Sequence, residues 1–352
     1  MVARRALRRI QPQANRMTRL TFVLVNMVFF VVQARQEGHA NEHPLPKRQA
    51  ECVLDDPPTL PSPYIEQQYQ LLEKTRLSPD SFQLRYNISH GGRLGLPEDD
   101  YATVPTCIKL KYTTNNKNET LIKSYSPVSH PDQQGTFDLI VKAYPDRPGG
   151  GVGRYLCHMM PGDSITASLK SPRIVHGSVH VQRRWKQVGL IAGGTGIAPL
   201  LQIARILLAD TEWDTQVYLL FVNHSPADIL ARQEIEALRA AHPQTFFVSF
   251  ALTGDSPVKD PVETNDNLQS SPFYYKTSKD GTDVDLARKT LPPPGHSTMI
   301  FVCGKDGFVA HWGGPVVRAP PKPDGSKGPK IQGPLQGILA QAGYTADQVF
   351  KY

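Results

Sequence analysis

Between about residues 78 and 169 the chain alternates apolar and polar positions in short runs. The segments 82–86, 107–112 and 137–144 repeat with a period of two, the spacing that gives a strand one core-facing and one solvent-facing side. Glycine- and proline-rich turns separate them, which predicts a small antiparallel barrel. From about residue 186 the pattern changes. Unbroken apolar runs at 188–192, 217–222, 246–252 and 298–303 read as buried strands, and stretches of helical spacing at 199–209, 229–241 and 283–290 lie between them. That alternation predicts a parallel sheet wrapped by helices. Residues 65–77 read as a short helix, and residues 254–281 as a polar surface excursion.

The start of the chain follows neither pattern. Arg4, Arg5, Arg8, Arg9, Arg16 and Arg19 precede the first acid, Glu37, and a thirteen-residue apolar run occupies 20–32. A basic, acid-poor segment of this kind reads as a mitochondrial transit peptide, and the short apolar run equally as a membrane anchor, in mitochondria or alternatively in the endoplasmic reticulum. The run is shorter than the roughly 20 residues that cross a bilayer. Residues 36–75 read as a proline-rich linker and the short helix, 76–180 as the barrel domain and 186–352 as the α/β domain. The charge of +7 belongs to the leader. Residues 1–50 hold nine Lys/Arg and two Glu, leaving 30 basic and 30 acidic residues, so the folded part is neutral and nucleic-acid binding is not expected. Four cysteines without a C-x-x-C pair, and eleven histidines without ligand spacing, argue against a metal site.

The candidate chemistry centres on Gly193-Gly194-Thr195-Gly196-Ile197-Ala198-Pro199. A buried strand, a glycine turn and a helix start make an anion-friendly site, because the first amides of the helix point outward and its dipole favours negative charge. The run is neither the G-x-G-x-x-G fingerprint nor a P-loop.

This run resembles the Gly-Gly-Thr-Gly-Ile-x-Pro segment of the NADH–cytochrome b5 reductase branch of the ferredoxin-reductase-like flavoenzymes. Four other segments fall in that family's order: Lys123-Ser124-Tyr125-Ser126-Pro127, Ile140-Val141-Lys142-Ala143-Tyr144, Gly150-Gly151-Val152-Gly153-Arg154 and Val302-Cys303-Gly304. The resemblance implies an α+β two-domain fold, an antiparallel six-stranded FAD-binding barrel followed by an α/β parallel-sheet nicotinamide-binding domain. It implies that Lys123, Tyr125, Ser126, Ile140, Tyr144, Gly150, Gly151, Val152 and Gly153 line FAD. Lys142, Gly193, Gly194, Thr195, Gly196, Cys303 and Gly304 would serve NADH, with Cys303, Thr195 and Ser126 at the hydride path. NADH is expected over NADPH, because 222–225 carries no arginine cluster for a 2′-phosphate. The expected acceptor is a haem protein such as cytochrome b5. The alternatives are another acceptor, as in cytochrome c maturation, and a structural subunit that lost turnover.

Three departures stand out. Lys123 replaces an arginine, trading a planar fork for a point charge. Gly153 stands where a hydroxyl residue is usual. Lys305-Asp306-Gly307-Phe308 replaces a proline-rich turn ending in methionine, and the basic segment 313–333 that follows reads as a solvated loop or a surface for a partner or membrane.

Overall fold

The computed structural model describes residues 65–352, except 90, 95–103, 114–119, 131, 145–150, 179–180, 182–183, 211–213, 254–272, 277–282, 322, 324, 326–327 and 329. Six strands form the first sheet: β1 (Gln67–Ser78), β2 (Ser81–Asn87), β3 (Ile108–Thr113), β4 (Thr120–Tyr125), β5 (Thr136–Lys142) and β6 (Ser164–Leu169). Their order is β4-β3-β6-β1-β2-β5 and every pairing is antiparallel. The period-two pattern explains the core. Leu84, Tyr86, Ile108, Leu110, Ile165 and Ala167 all turn to one side and pack together. Helix α1 (Gly151–His158) packs against both edge strands, β4 and β5, and so sits at the sheet's open seam.

Strand β5 is buried on both faces. Leu139 and Val141 enter the barrel core, while Ile140, between them, points the other way into the core of the second sheet. One strand therefore faces both domains.

The second sheet contains β7 (Gln187–Gly193), β8 (Gln216–Asn223), β9 (Phe246–Leu252), β10 (Phe273–Lys276), β11 (Thr298–Cys303) and β14 (Val349–Lys351). The order is β10-β9-β8-β7-β11-β14, all parallel. Helices α2 (Ile197–Ala209), α3 (Arg232–Ala241), α4 (Asp283–Thr290), α5 (Asp306–Gly313) and α6 (Gly337–Gln341) complete the domain. Successive strands grow to one side from β7 to β10, and β11 then returns to β7's other flank. The strand order thus reverses between β7 and β11, and in open α/β sheets ligands bind at the carboxyl ends of the strands flanking such a reversal.

Three expectations need correction. Residues 65–77 are not a helix: they make most of β1, the longest strand in the barrel. Gln, Leu, Glu, Lys and Arg give the segment good helix propensity, but Tyr69 and Leu71 bury on alternate positions while the backbone pairs with β2 and β6. Barrel structure consequently begins at Gln67, inside the stretch read as linker and helix. The polar excursion contributes β10 to the sheet, parallel to β9. The basic segment 313–333 is not simply loop: β12 (Val316–Arg318) and β13 (Lys330–Gln332) pair as a two-stranded ribbon. Lys351, 2% exposed, holds its base by donating to the carbonyls of Pro315, Gly333 and Pro334 at 3.0, 2.7 and 3.1 Å.

Among the described residues no helix is long and apolar enough to cross a membrane, and no group of three His, Cys, Asp or Glu could hold a metal. The apolar run at 20–32 and Gly150 lie outside the described residues.

Candidate functional site

The glycine turn leaves the carboxyl end of β7, and Cys303-Gly304 leaves the adjacent end of β11. The two are in backbone contact: a methyl group on Gly196 would run into the Cys303 carbonyl and the Gly304 amide. Gly194 has a φ of +53°, with open space where a side chain would stand, so glycine is required there for conformation. Thr195 is half-buried between them. Helix α2 follows with no side-chain cap and no acid in its first turn, but its Ile197 amide already donates to the Gly194 and Thr195 carbonyls and Pro199 has no N–H to offer. Phe308 covers the other face of the turn. Its ring lies where a Cβ on Gly193 would come within 2.9 Å, and it also crowds Gly304.

The barrel presents its motifs to the same place. Tyr125 ends β4, half-buried against the barrel core, and Ser126-Pro127 follow it. Lys123 is exposed on the same strand, opposite Leu110 of β3. Helix α1 begins on Gly151, at φ +60°, and is fastened by Tyr155 stacking on Tyr112 with ring centroids 4.1 Å apart. Gly153 has a packing reason: its Cα faces the Lys142 carbonyl, where a Cβ would lie at 2.7 Å. The missing hydroxyl thus accompanies a close approach of α1 to β5. Val152 is buried in the barrel core and Ile140, 4% exposed, in the seam.

One ion pair and one cation–π contact cross from barrel to sheet. Lys142 Nζ lies 3.0 Å from Asp80, in the barrel's own β1–β2 turn, and 3.3 Å from Asp228, mid-way along the β8–α3 connection. Burial lowers the Lys142 pKa, but the two carboxylates outweigh it, and the net shift is upward. Burial raises that of Asp228, and its bonds to Ser225 and Lys142 more than offset this, for a net downward shift. Lys305, one of the departures, places its ammonium 4.2 Å from the centre of the Tyr144 ring.

A third cluster closes the seam. Cys303, Cys107, Arg173 and Tyr352 influence one another's ionisation, and the Cys107 thiol donates to the Ile108 carbonyl at 3.7 Å. Burial pushes the Cys303 thiol up to about 12 and raises Cys107 as well. Cys303 is therefore a neutral thiol at physiological pH, unsuited to nucleophilic work. Arg173 lies 4.6 Å from the centre of the Tyr352 ring, and the Tyr352 amide donates to Val302 at 2.8 Å. Sequence reading missed Asp80, Cys107, Arg173, Gln202 and Asp228. All five act across long sequence separations, and no local pattern marks them.

The residues present fit a flavin and a dinucleotide. Helices α1 and α2 both follow glycine-rich turns, neither carries an acid in its first turn, and Lys305 adds positive charge beside the second. Residues 68–174 match the family described as the oxidoreductase FAD-binding domain, and residues 190–312 the oxidoreductase NAD-binding domain. The protein is a two-domain oxidoreductase that uses FAD and a nicotinamide dinucleotide. The chain is 32% identical over 296 residues to an NADH-cytochrome b5 reductase-like protein of Arabidopsis thaliana, covering 83% of this chain and 77% of the relative. It is 31% identical over 318 residues to NADH-cytochrome b5 reductase 2 of Homo sapiens, covering 84% and 98%. The cytochrome b5 reductase domain of Ulva prolifera nitrate reductase shares the fold, with a TM-score of 0.55 and 23% identity over 70% of this chain and 90% of that one. The chain belongs to the NADH–cytochrome b5 reductase family.

Proposed function

We propose that the protein oxidises NADH at the seam and passes the electrons one at a time to a haem protein of the cytochrome b5 type. The observation that carries this reading is the abutment of the glycine turn on Cys303-Gly304 at the strand-order reversal, with the Tyr125-Ser126 strand end held against the same helix. When bound, FAD takes up hydride from the nicotinamide and releases electrons singly.

The chain's own residues do the positioning. The Gly193–Gly196 turn, where glycine lets the backbone come close, receives the nicotinamide end of the dinucleotide. Lys305 adds positive charge, and Lys142, held between Asp80 and Asp228, anchors the β8–α3 connection to the barrel. Tyr125 and the Ser126 hydroxyl hold the flavin ring, and Lys123 with the start of α1 its phosphates. Cys303 contributes a neutral wall rather than a base. NADH is preferred over NADPH, because 222–225 offers no cation and the nearby Asp228 is acidic. The Arg-rich leader with its apolar run directs the protein to mitochondria and holds it at a membrane.

Purified full-length chain in detergent tests this. It should be yellow, bleach with NADH faster than with NADPH, and regain colour on adding ferric cytochrome b5. Recolouring by cytochrome c or ferricyanide but not cytochrome b5 would favour another acceptor. A colourless folded protein would sink the enzymatic reading. A fluorescent fusion found outside mitochondria would overturn the localisation.

A further inference from the structure

Gln202 lies on α2, six residues beyond Gly196, which is about 9 Å along a helix axis. Polar side chains at such depth are unusual, and this one is 4% exposed. Among the described residues its side chain bonds only groups of the barrel. Its Oε1 accepts from the Thr106 amide at 2.6 Å, and its Nε2 donates to the Thr106 carbonyl at 3.1 Å and to the Pro127 carbonyl at 2.6 Å. One side-chain amide therefore pairs with Thr106 as a neighbouring strand would, and uses its second N–H on Pro127. Arg205, three residues on, donates to the Val128 carbonyl.

The places it touches matter. Pro127 directly follows Tyr125-Ser126, the segment that holds the flavin ring in the family reading. Thr106 lies two residues before Ile108, which pairs with Tyr125 across β3 and β4. At its other end α2 begins on the turn that receives the nicotinamide. Eleven of its thirteen residues are buried, so it moves as one body with the sheet. A single rigid helix thus joins the turn under one ring to the strand end under the other.

We propose that Gln202 is a positioning residue that sets the distance and tilt between the nicotinamide turn and the flavin-holding strand. This rests on the flavin–nicotinamide reading of the seam. It predicts a specific consequence. Hydride transfer requires the reacting atoms near contact distance, and a displacement of about 1 Å is enough to slow such a step on the order of a hundredfold. The three barrel groups demand three hydrogen bonds with fixed donor and acceptor order, which a residue of equal volume cannot supply.

The test compares wild type with Gln202→Met, which keeps length but bonds nothing, and Gln202→Glu, which keeps shape but presents a carboxylate to two carbonyls. Full-length protein is used throughout. Three quantities are read: exchange of the Thr106 backbone amide, the thermal midpoint, and the rate of flavin bleaching in a single turnover with NADH and with NADH deuterated at the transferred position. The expected result is flavin-loaded protein in which Thr106 exchanges freely. Bleaching at saturating NADH should slow about ten- to hundredfold in Gln202→Met, and further in Gln202→Glu, with an altered isotope effect and little change in the NADH concentration for half-maximal rate. Unchanged bleaching, or a loss that only tracks lost flavin, would overturn the proposal. So would failure of both variants to fold, which would make Gln202 a purely structural residue. If wild type itself binds no flavin, the family reading of the seam has failed instead.

Discussion

Two helices, α1 and α2, follow glycine-rich turns, and they are built differently. Helix α2 is buried along almost its whole length, and its entrance is wedged against backbone: Gly196 meets the Cys303 carbonyl and the Gly304 amide. Helix α1 buries only Val152, Leu156 and Cys157, one stripe with the i, i+4 spacing of a surface helix, and its entrance touches one carbonyl, that of Lys142. The turn before α2 is therefore part of a core that cannot yield locally, while α1 is an element laid over the barrel's open edge. Similar glycine-rich entrances thus answer to different constraints: the first to packing from all sides, the second to one close approach.

The comparison can be broken most forcefully at Gly196. Gly196→Ala puts a methyl group into two backbone groups that cannot swing aside, and should destabilise the protein by about 3 kcal/mol, the upper end for overpacking. Denaturant unfolding measures this, and an unchanged midpoint would show that the two loops can separate. Gly153→Ser introduces the hydroxyl common in the family, with its Cβ 2.7 Å from the Lys142 carbonyl. Because α1 can shift outward, we expect about 1 kcal/mol and weaker flavin retention on gel filtration. Tighter flavin binding would mean that the hydroxyl, not the close approach, governs this end.

The smallest effect belongs to Lys142, whose pairs with Asp228 and Asp80 are partly solvated. Lys142→Met should cost about 0.5–1 kcal/mol. The sign with pH follows from the directions of the shifts. Asp228, shifted down, contributes stability above the unfolded carboxyl value and loses it as pH falls through its lower folded value. Lys142, shifted up, contributes below the unfolded lysine value and loses it as pH rises through its higher folded value. The stability difference between wild type and variant should then be flat from about pH 5 to about pH 9 and shrink outside that window. A slope within the window would implicate some other group.

How much of this was legible in the sequence depended on whether the signal was local. The four inner parallel strands, β9, β8, β7 and β11, announce themselves as apolar runs, because both faces of such a sheet are covered, whereas the edge strands β10 and β14 do not. The glycine turn and Cys303-Gly304 were legible as motifs, and the strand-order reversal explains why they meet. β1 was misread because its solvated face is made of helix formers, and only pairing with β2 and β6 settles its conformation. The role of Gly153 was invisible for the same kind of reason: its partner, the Lys142 carbonyl, belongs to another element. Gln202 sits inside an apolar helical stretch and looks like an ordinary interruption until the barrel is packed against it.

The raised thiols have a consequence for the protein's durability. Flavins in contact with air generate peroxide, and peroxide attacks thiolates, not thiols. Burial raises the pKa of Cys303 and Cys107, and that of Cys157 in the barrel core to about 11. These sulfurs can therefore sit in a flavoprotein as neutral thiols without becoming the first casualty of its own leakage.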